Sequence, residues 1–483
     1  MTFPDLNLAA AAHLLFLAVW ASALLLVDLW IPKTHKTVTG WLAFAGLAIA
    51  LVLVSAQQGS RQASFGGTLA TDGFSTLMNF IFIGAGMLSV LMALNYLRQH
   101  DLERGEFYPL LLFSIVGMMA MGMAKDLIIV FLSLELLSIP LYVLAGFGRP
   151  RIESEEAGLK YFLLGAFSSA FLVYGIALVY GATQATSFAG IGVALDAGRA
   201  GSPLLLAGVG LIMVGMGFKV AAVPFHMWTP DVYDGAPSVV TAFMSVGAKA
   251  AGFAALVRVL FDALAPLAAE WGVVVATLAA LSMVLGNVAA IAQTSMKRML
   301  AYSSIAHAGY VAVAALIDAQ GAQSNFSAGA AIFYLGAYAL TNLGTWAVVL
   351  AVEKPERMTT DVADYAGLGR TQPALAAAMT LFMLSLTGLP PSIGFVAKFY
   401  VFRAALEAGY TWLVLLGVVT VLISAYYYLR VIVVMWMKEG LGEAILPRAL
   451  NFTIWLTAAG TLVFGIVPGP VMRFVENSVR GIF

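Results

Sequence analysis

The chain has 483 residues, 61% hydrophobic and only 10% charged, with 25 Lys and Arg balanced by 25 Asp and Glu and no cysteine. A water-facing globular protein carries roughly a quarter charged residues, so this composition excludes a soluble enzyme and leaves a membrane chain. Without thiols it holds no iron–sulfur cluster, covalent haem or disulfide of its own, and zero net charge gives a nucleic acid nothing to bind.

Apolar runs bounded by charges, Gly and Pro predict helices over 8–30, 37–56, 73–97, 107–123, 126–148, 157–182, 203–222, 236–261, 270–292, 297–317, 327–352, 373–408, 410–437 and 447–469. Fourteen spans of about 20 to 22 residues use roughly 300 positions and leave short connections. Uniform apolarity without period-2 alternation argues for helices rather than a barrel, so the expected fold is an all-α polytopic membrane protein. The start, Met1-Thr2-Phe3-Pro4-Asp5, lacks the basic stretch of a cleaved signal and is read as retained. The longest polar stretches, Gln57–Asp72 and Glu353–Gln372, are too short to fold alone. The chain is therefore read as one membrane domain, 1–483, made of helices 1–3 (1–104), two five-helix units (105–262 and 263–440) and a last helix (441–483).

Lys and Arg set the orientation. The odd-to-even connections hold thirteen, among them Lys33, Lys36, Lys297, Arg298 and Arg357. The opposite face holds seven, namely Arg61, Lys125, Arg199, Arg258, Arg403, Arg473 and Arg480. This bias puts both termini outside the cytoplasm. Five basic residues remain inside the apolar runs: Lys160, Lys219, Lys249, Lys398 and Arg430.

An ionised group at the bilayer centre costs about 3 kcal/mol, so it faces the bundle interior, a wet cavity or a partner. Glu135 lies about ten residues into its run, and Lys249 is central in Met244-Ser245-Val246-Gly247-Ala248-Lys249-Ala250-Ala251-Gly252, where small residues allow close helix approach. For Glu135, Lys219, Lys249 and Lys398, snorkelling is sterically poor. Lys160, near its helix start, fits either snorkelling or function, and Arg430 reads as a snorkelling anchor. Two lysines sit beside proline breaks: Val223-Pro224-Phe225-His226-Met227-Trp228-Thr229-Pro230 follows Lys219, and Gly388-Leu389-Pro390-Pro391-Ser392-Ile393-Gly394 precedes Lys398. Proline opens the backbone, and an open backbone at membrane depth lines protein or water.

Lys398 follows Lys219 by 179 residues. If helices 4–8 match helices 9–13, each repeat has five spans and contains a broken helix. An odd number of spans inverts the second repeat relative to the first, giving two half-channels that meet at a common plane. The chemistry suits protons, because low dielectric brings both a carboxyl and an amine within reach of physiological pH. His226 and His307 are relay candidates, although a lone His in an apolar helix is more often a satisfied polar group. Tyr302, Ser303, Ser304 and Thr341 either orient water or bond helix to helix. The five histidines include no i,i+3 or i,i+4 pair, which gives a metal or haem little to build on.

The run Lys297-Arg298-Met299-Leu300-Ala301-Tyr302-Ser303-Ser304-Ile305-Ala306-His307-Ala308-Gly309-Tyr310 resembles a signature of the antiporter-like subunits of bacterial NADH-quinone oxidoreductase, respiratory complex I. The run Pro224-Phe225-His226-Met227-Trp228-Thr229-Pro230-Asp231-Val232-Tyr233-Asp234-Gly235-Ala236-Pro237 resembles a second, and Gly388-Leu389-Pro390-Pro391 adds to the match. Lys398 in place of a glutamate, and the lack of a lateral carboxy-terminal helix, point to one branch of that family. By this resemblance Glu135, Lys219, Lys249 and Lys398 match the glutamate of the family's fifth helix and the lysines of its seventh, eighth and twelfth; His226 and Lys160 also match positions of interest. The resemblance implies a proton-translocating subunit of a hetero-oligomer in the bacterial inner membrane, with both termini periplasmic. Its partners would be other membrane-arm subunits and the lipid bilayer. It would bind no cofactor or metal itself, with NADH, FMN, iron–sulfur clusters and quinone in other subunits. Two alternatives compete: a subunit of a multi-subunit cation/proton antiporter, and a structural spacer whose charges only bind neighbouring subunits.

Overall fold

The computed structural model describes residues 6–315, 324–354 and 360–480. Met1 to Asp5, Arg357 and the last two positions of the 297–317 run lie outside the described residues. The chain opens with α1 (Ala12–Val27), α2 (Thr37–Ala56) and α3 (Gly73–Gln99). A short antiparallel hairpin, β1 (Gln62–Ser64) with β2 (Leu69–Thr71), precedes α3. Next come α4 (Phe107–Met123), α5 (Leu127–Ala145), α6 (Ile152–Thr183), α7 (Phe188–Ala194), α8 (Pro203–Val220), α9 (Trp228–Gly235) and α10 (Ser238–Arg258). The second half holds α11 (Ala268–Ile291), α12 (Met296–Ala315), α13 (Ser324–Val352), α14 (Leu368–Thr371), α15 (Pro373–Thr387), α16 (Ile393–Glu407) and α17 (Thr411–Met437). It closes with α18 (Arg448–Ile466) and α19 (Gly469–Val479). Among the described residues eleven helices are long and apolar enough to cross a membrane, and α4 and α15 are shorter apolar helices. The all-α polytopic expectation holds.

The break expected in the 373–408 run is present: the run is two helices, because Pro390 and Pro391 lack the N–H groups a continuous helix needs, and α15 stops at Gly388, whose φ of +90° is left-handed. Two differences from the sequence reading have physical causes. Helix α6 starts five residues earlier than the apolar run, since Glu153 and Glu155 sit in its first turn, where the helix dipole favours acids. Helix α19 escaped notice because it is amphipathic: Met472, Val475 and Val479 are buried while Arg473 and Arg480 are exposed.

Helix α10 is buried along its whole length, packed by α3, α4, α8 and α13. Its small residues make that possible. A Cβ on Gly252 would lie 2.9 Å from Val220, and one on Gly247 2.9 Å from Met118. Helix α8 breaks at Ala221, which has a left-handed φ of 60°. The freed backbone is satisfied from within the protein, as buried irregular backbone must be: Val223 N–H donates to Ser282 Oγ at 2.9 Å, and Trp228 Nε1 to Phe218 O at 3.0 Å.

Arg258 and Lys297, taken from sequence as loop charges, are both fully buried. Arg430 is not a snorkelling anchor. Its guanidinium donates to Ile291 O at 3.0 Å and Gln293 O at 2.6 Å, satisfying carbonyls at the carboxy-terminal end of α11 that have no partner within the helix.

Candidate functional site

The first group of charges gathers between α5, α6 and α8. Glu135, in mid-α5, is half-buried and accepts a hydrogen bond from Ser169 of α6. It shares its side of α5 with the exposed Leu132, Leu136 and Ile139. One turn on, Ser138 accepts from Lys219 Nζ at 2.7 Å, and Tyr161 OH lies 3.4 Å from the same ammonium. Glu135 and Lys219 form no direct ion pair, yet the carboxylate acts electrostatically on the amine. Beside Lys219, a cavity of about 10 Å³ lined by Ser138, Ser168 and Ser169 as well as the lysine is about the size one water needs.

The second group centres on α12. Lys249 Nζ donates to both the carbonyl and the hydroxyl of Ser304. His307, one turn further along α12 and on the same face, has Nδ1 2.7 Å from Tyr334 OH and Nε2 3.4 Å from Tyr428 OH. Tyr428 also bonds Ser303. The Tyr310 ring packs edge-on to His307 at 5.8 Å, and Lys398 Nζ stands 4.9 Å from the centre of that ring. His307 thus lies between Lys249 and Lys398. Lys398 donates to Leu386 O and Thr387 O, each at 2.8 Å. Its ammonium caps the broken end of α15, where carbonyls lack helical partners and the dipole favours a cation. Beside it opens a cleft of about 590 Å³, lined in part by Phe399, Arg403 and Glu407.

Among the described residues, no hydrogen-bond chain joins Lys219 and Lys249. The Lys219 stem packs on α10 at Gly252, one turn past Lys249. The two break-side lysines are also not equivalent positions, since Lys219 precedes its break and Lys398 follows its own. Lys160 lies outside both groups: it pairs with Glu156 and Asp231 at 2.7 Å each, and Asp231 accepts from Arg298 at 2.9 Å. That network ties α6, α9 and α12 together. His226 is half-buried between α8 and α9, with no hydrogen-bond partner for Nδ1 among the described residues. Thr341 bonds Ser385 at 3.0 Å, an interhelical bond. Ser138, Ser169, Tyr161, Tyr310, Tyr334 and Tyr428 went unread in the sequence; the signal was a hydroxyl inside an apolar helix, which becomes specific only once the lysine facing it is known. Among the described residues no group of three or more His, Asp or Glu could hold a metal ion.

Gly388 gives this geometry a direct test. At its φ of +90° a side chain is strained, and an added Cβ would lie 2.8 Å from Lys398 Cδ. Gly388→Ala should cost about 1–2 kcal/mol and push the Lys398 ammonium off the α15 carbonyls. The expected result is an assembled protein with reduced transport, read as proton flux in membrane vesicles at normal protein level.

Residues 124–424 match the family model of NADH:quinone oxidoreductase/Mrp antiporter transmembrane subunits. The chain is 47% identical over 485 residues to NADH-quinone oxidoreductase subunit N of Chloroflexus aggregans, covering 99% of this chain and 98% of the relative. A chain of respiratory complex I from Thermus thermophilus is similar at 36% identity and a TM-score of 0.81, covering 95% of this chain and 98% of that one. A chain of the Mrp complex from a Dietzia species shares the fold, with a TM-score of 0.85 at 20% identity over 98% and 97% of the two chains.

Proposed function

Because the chain belongs to the NADH:quinone oxidoreductase/Mrp antiporter family of membrane subunits, and to its subunit N branch, we propose that Glu135, Lys219, Lys249 and Lys398 form its proton relay. The protein is a multi-pass, proton-translocating membrane-arm subunit of NADH:quinone oxidoreductase. NADH oxidation, FMN, the iron–sulfur clusters and quinone reduction fall to other subunits. The observation that carries the relay is the line of buried groups from Lys249 through Ser304 and His307 to Tyr310 and Lys398.

In this reading protons load at Glu135 and pass by way of Ser138 and one water to Lys219. An ammonium that loses a nearby carboxylate holds its proton less tightly, so a change at Glu135 drives the proton onward to Lys249. Beyond Lys249 the hydroxyls and imidazole of α12 and α13 carry it to Lys398, and the adjacent cleft is the exit. A half-buried carboxylate cannot face lipid at mid-membrane, so the face of α5 that carries Glu135 is where a neighbouring subunit packs. Both termini lie on the periplasmic side of the bacterial inner membrane. The units 105–262 and 263–440 are inverted repeats. Their packing order recurs, α4 on α5 and α6 on α9 in one, α11 on α12 and α13 on α16 in the other, and each contains a broken helix.

A cation/proton antiporter subunit would share this fold, but the Mrp chain is only 20% identical while the subunit N relative reaches 47%. A spacer would carry its lysines outward at subunit contacts, whereas Lys219, Lys249 and Lys398 are buried. The test is Glu135→Gln and Lys219→Ala in the assembled complex, scored as protons pumped per NADH in membrane vesicles. A lowered ratio is expected, and an unchanged ratio in both variants removes the relay.

A further inference from the structure

At the end of the bundle where α3 and α13 terminate lie buried titratable groups that the relay above does not use. His100 caps α3, and Glu353 follows the last residue of α13. Their side chains are 1% and 0% exposed, with His100 Nε2 3.5 Å from Glu353 Oε1. Tyr96 donates to the same carboxylate oxygen at 2.9 Å, and its hydroxyl accepts the Ser238 N–H at 3.1 Å, at the first residue of α10. Lys297, fully buried, donates to Ala236 O at 2.7 Å and senses the Glu353 charge. Burying an acid and an imidazole together is costly, and the Tyr96 bonds to Glu353 and Ser238 place the pair where α3, α13 and α10 meet.

Two further observations give the cluster a direction. Among the described residues, Glu353 Oε2, His100 Nε2 and Ser238 Oγ are buried with no hydrogen-bond partner, and all three belong to residues joined through Tyr96 or the Glu353 carboxylate. Such atoms are where proteins hold ordered water. From Ser238 one face of α10 then carries Thr241 at an i,i+3 step and Ser245 and Lys249 at i,i+4 steps, all buried, about 4.5 to 6 Å apart along the axis. Asn342 of α13 donates to Ser245 at 2.7 Å, so this polar row follows the seam between the two most buried of the candidate membrane spans among the described residues.

We propose that His100 and Glu353 form a second proton-loading station, feeding Lys249 directly along the α10–α13 seam through Ser238, Thr241 and Ser245, independently of Glu135 and Lys219. It rests on the reading of Lys249 as a proton carrier. By the Lys and Arg bias this end faces the cytoplasm. A proton taken up by the Glu353 carboxylate passes to the row as the carboxyl O–H bond breaks, and one N–H bond forms at Lys249. The carboxylate is then reprotonated from the cytoplasmic side. One proton moves, and no other bond changes.

The experiment uses the intact complex in inverted vesicles and measures NADH-driven proton flux alongside NADH oxidation. Glu353→Gln keeps the shape and the Tyr96 bond but cannot ionise; it is expected to cause a partial loss of flux, leaving the share that enters through Glu135 and Lys219, and Glu353→Asp is expected to restore most of what is lost. A merely structural role for the carboxylate would leave the Gln variant with wild-type flux, which overturns the proposal. Should Glu353→Gln fail to assemble, Ser245→Ala decides, because it leaves the charged cluster intact: reduced flux supports the second entry and wild-type flux overturns it. Lys249→Met separates the two levels. Unchanged flux there removes the relay and this entry together, whereas reduced flux with normal Glu353→Gln and Ser245→Ala removes this entry alone.

Discussion

Lys249→Met is expected to lower proton translocation by this chain about 10²-fold or more, the scale on which a positioned proton carrier contributes, while leaving the complex assembled. Assembly should survive because Lys249 forms no ion pair among the described residues; its ammonium donates only to Ser304. Removing it strands no acid. It frees one buried hydroxyl and one carbonyl, each worth about 1–3 kcal/mol when left unsatisfied, and it relieves the desolvation of a buried charge. Lys249→Arg sharpens the test. A guanidinium keeps the positive charge but does not release its proton, so a role as a fixed cation predicts normal flux in the Arg variant, and a role as a carrier predicts loss in both. Flux per NADH in vesicles, with assembly checked on a native gel, distinguishes the two. Normal pumping by the Arg variant would falsify the carrier role.

The carriers were legible in the sequence because a charge in an apolar run is conspicuous. Lys219, Lys249 and Lys398 stand alone amid Gly, Ala and Phe, and the bilayer makes each one expensive. What joins them was not legible. Ser304, Tyr310 and Tyr428 are ordinary residues for membrane helices, and only the packing of α10 and α17 on α12 shows which hydroxyls face an amine. Charges near the ends of runs misled in the other direction. Arg258 and Lys297 sit where a linear reading expects loops, yet both are fully buried, Arg258 against Asp72, Phe74 and Gly122 and Lys297 against Ala236. Helix boundaries failed where apolarity and helix formation part company: at α6, whose first turn is acidic, and at α19, whose apolar face is one stripe of an otherwise polar segment.

Arg258 carries the largest expected effect on stability. It is fully buried at the end of α10, with Nη2 2.7 Å from Asp72 Oδ1, Nη1 3.6 Å from Asp262 and its guanidinium 4.7 Å above the Phe74 ring. Asp72 is at the same time the N-cap of α3, accepting the Ser75 N–H at 2.9 Å. Asp262 pairs with Lys125 at 2.6 Å. One guanidinium thus joins the start of α3 to the α4–α5 connection and the end of α10. Arg258→Met leaves Asp72 buried without its countercharge, and breaking a buried pair from one side costs about 3–5 kcal/mol. The melting temperature of the assembled complex should fall accordingly, and Asp72→Asn added to Arg258→Met should recover part of the loss, because the orphaned charge is then gone. Acid should act in the same sense. Burial alone would raise the Asp72 pKa, but Arg258, the Ser75 N–H and Lys125 outweigh it and hold the carboxyl below its ordinary value. A carboxyl depressed by folding contributes its stabilisation above the ordinary aspartate range and loses it as pH falls through the depressed value. The wild-type protein should therefore lose stability on acidification more steeply than the Asp72→Asn/Arg258→Met double variant. Equal slopes for the two proteins would mean that the pair contributes nothing to folding.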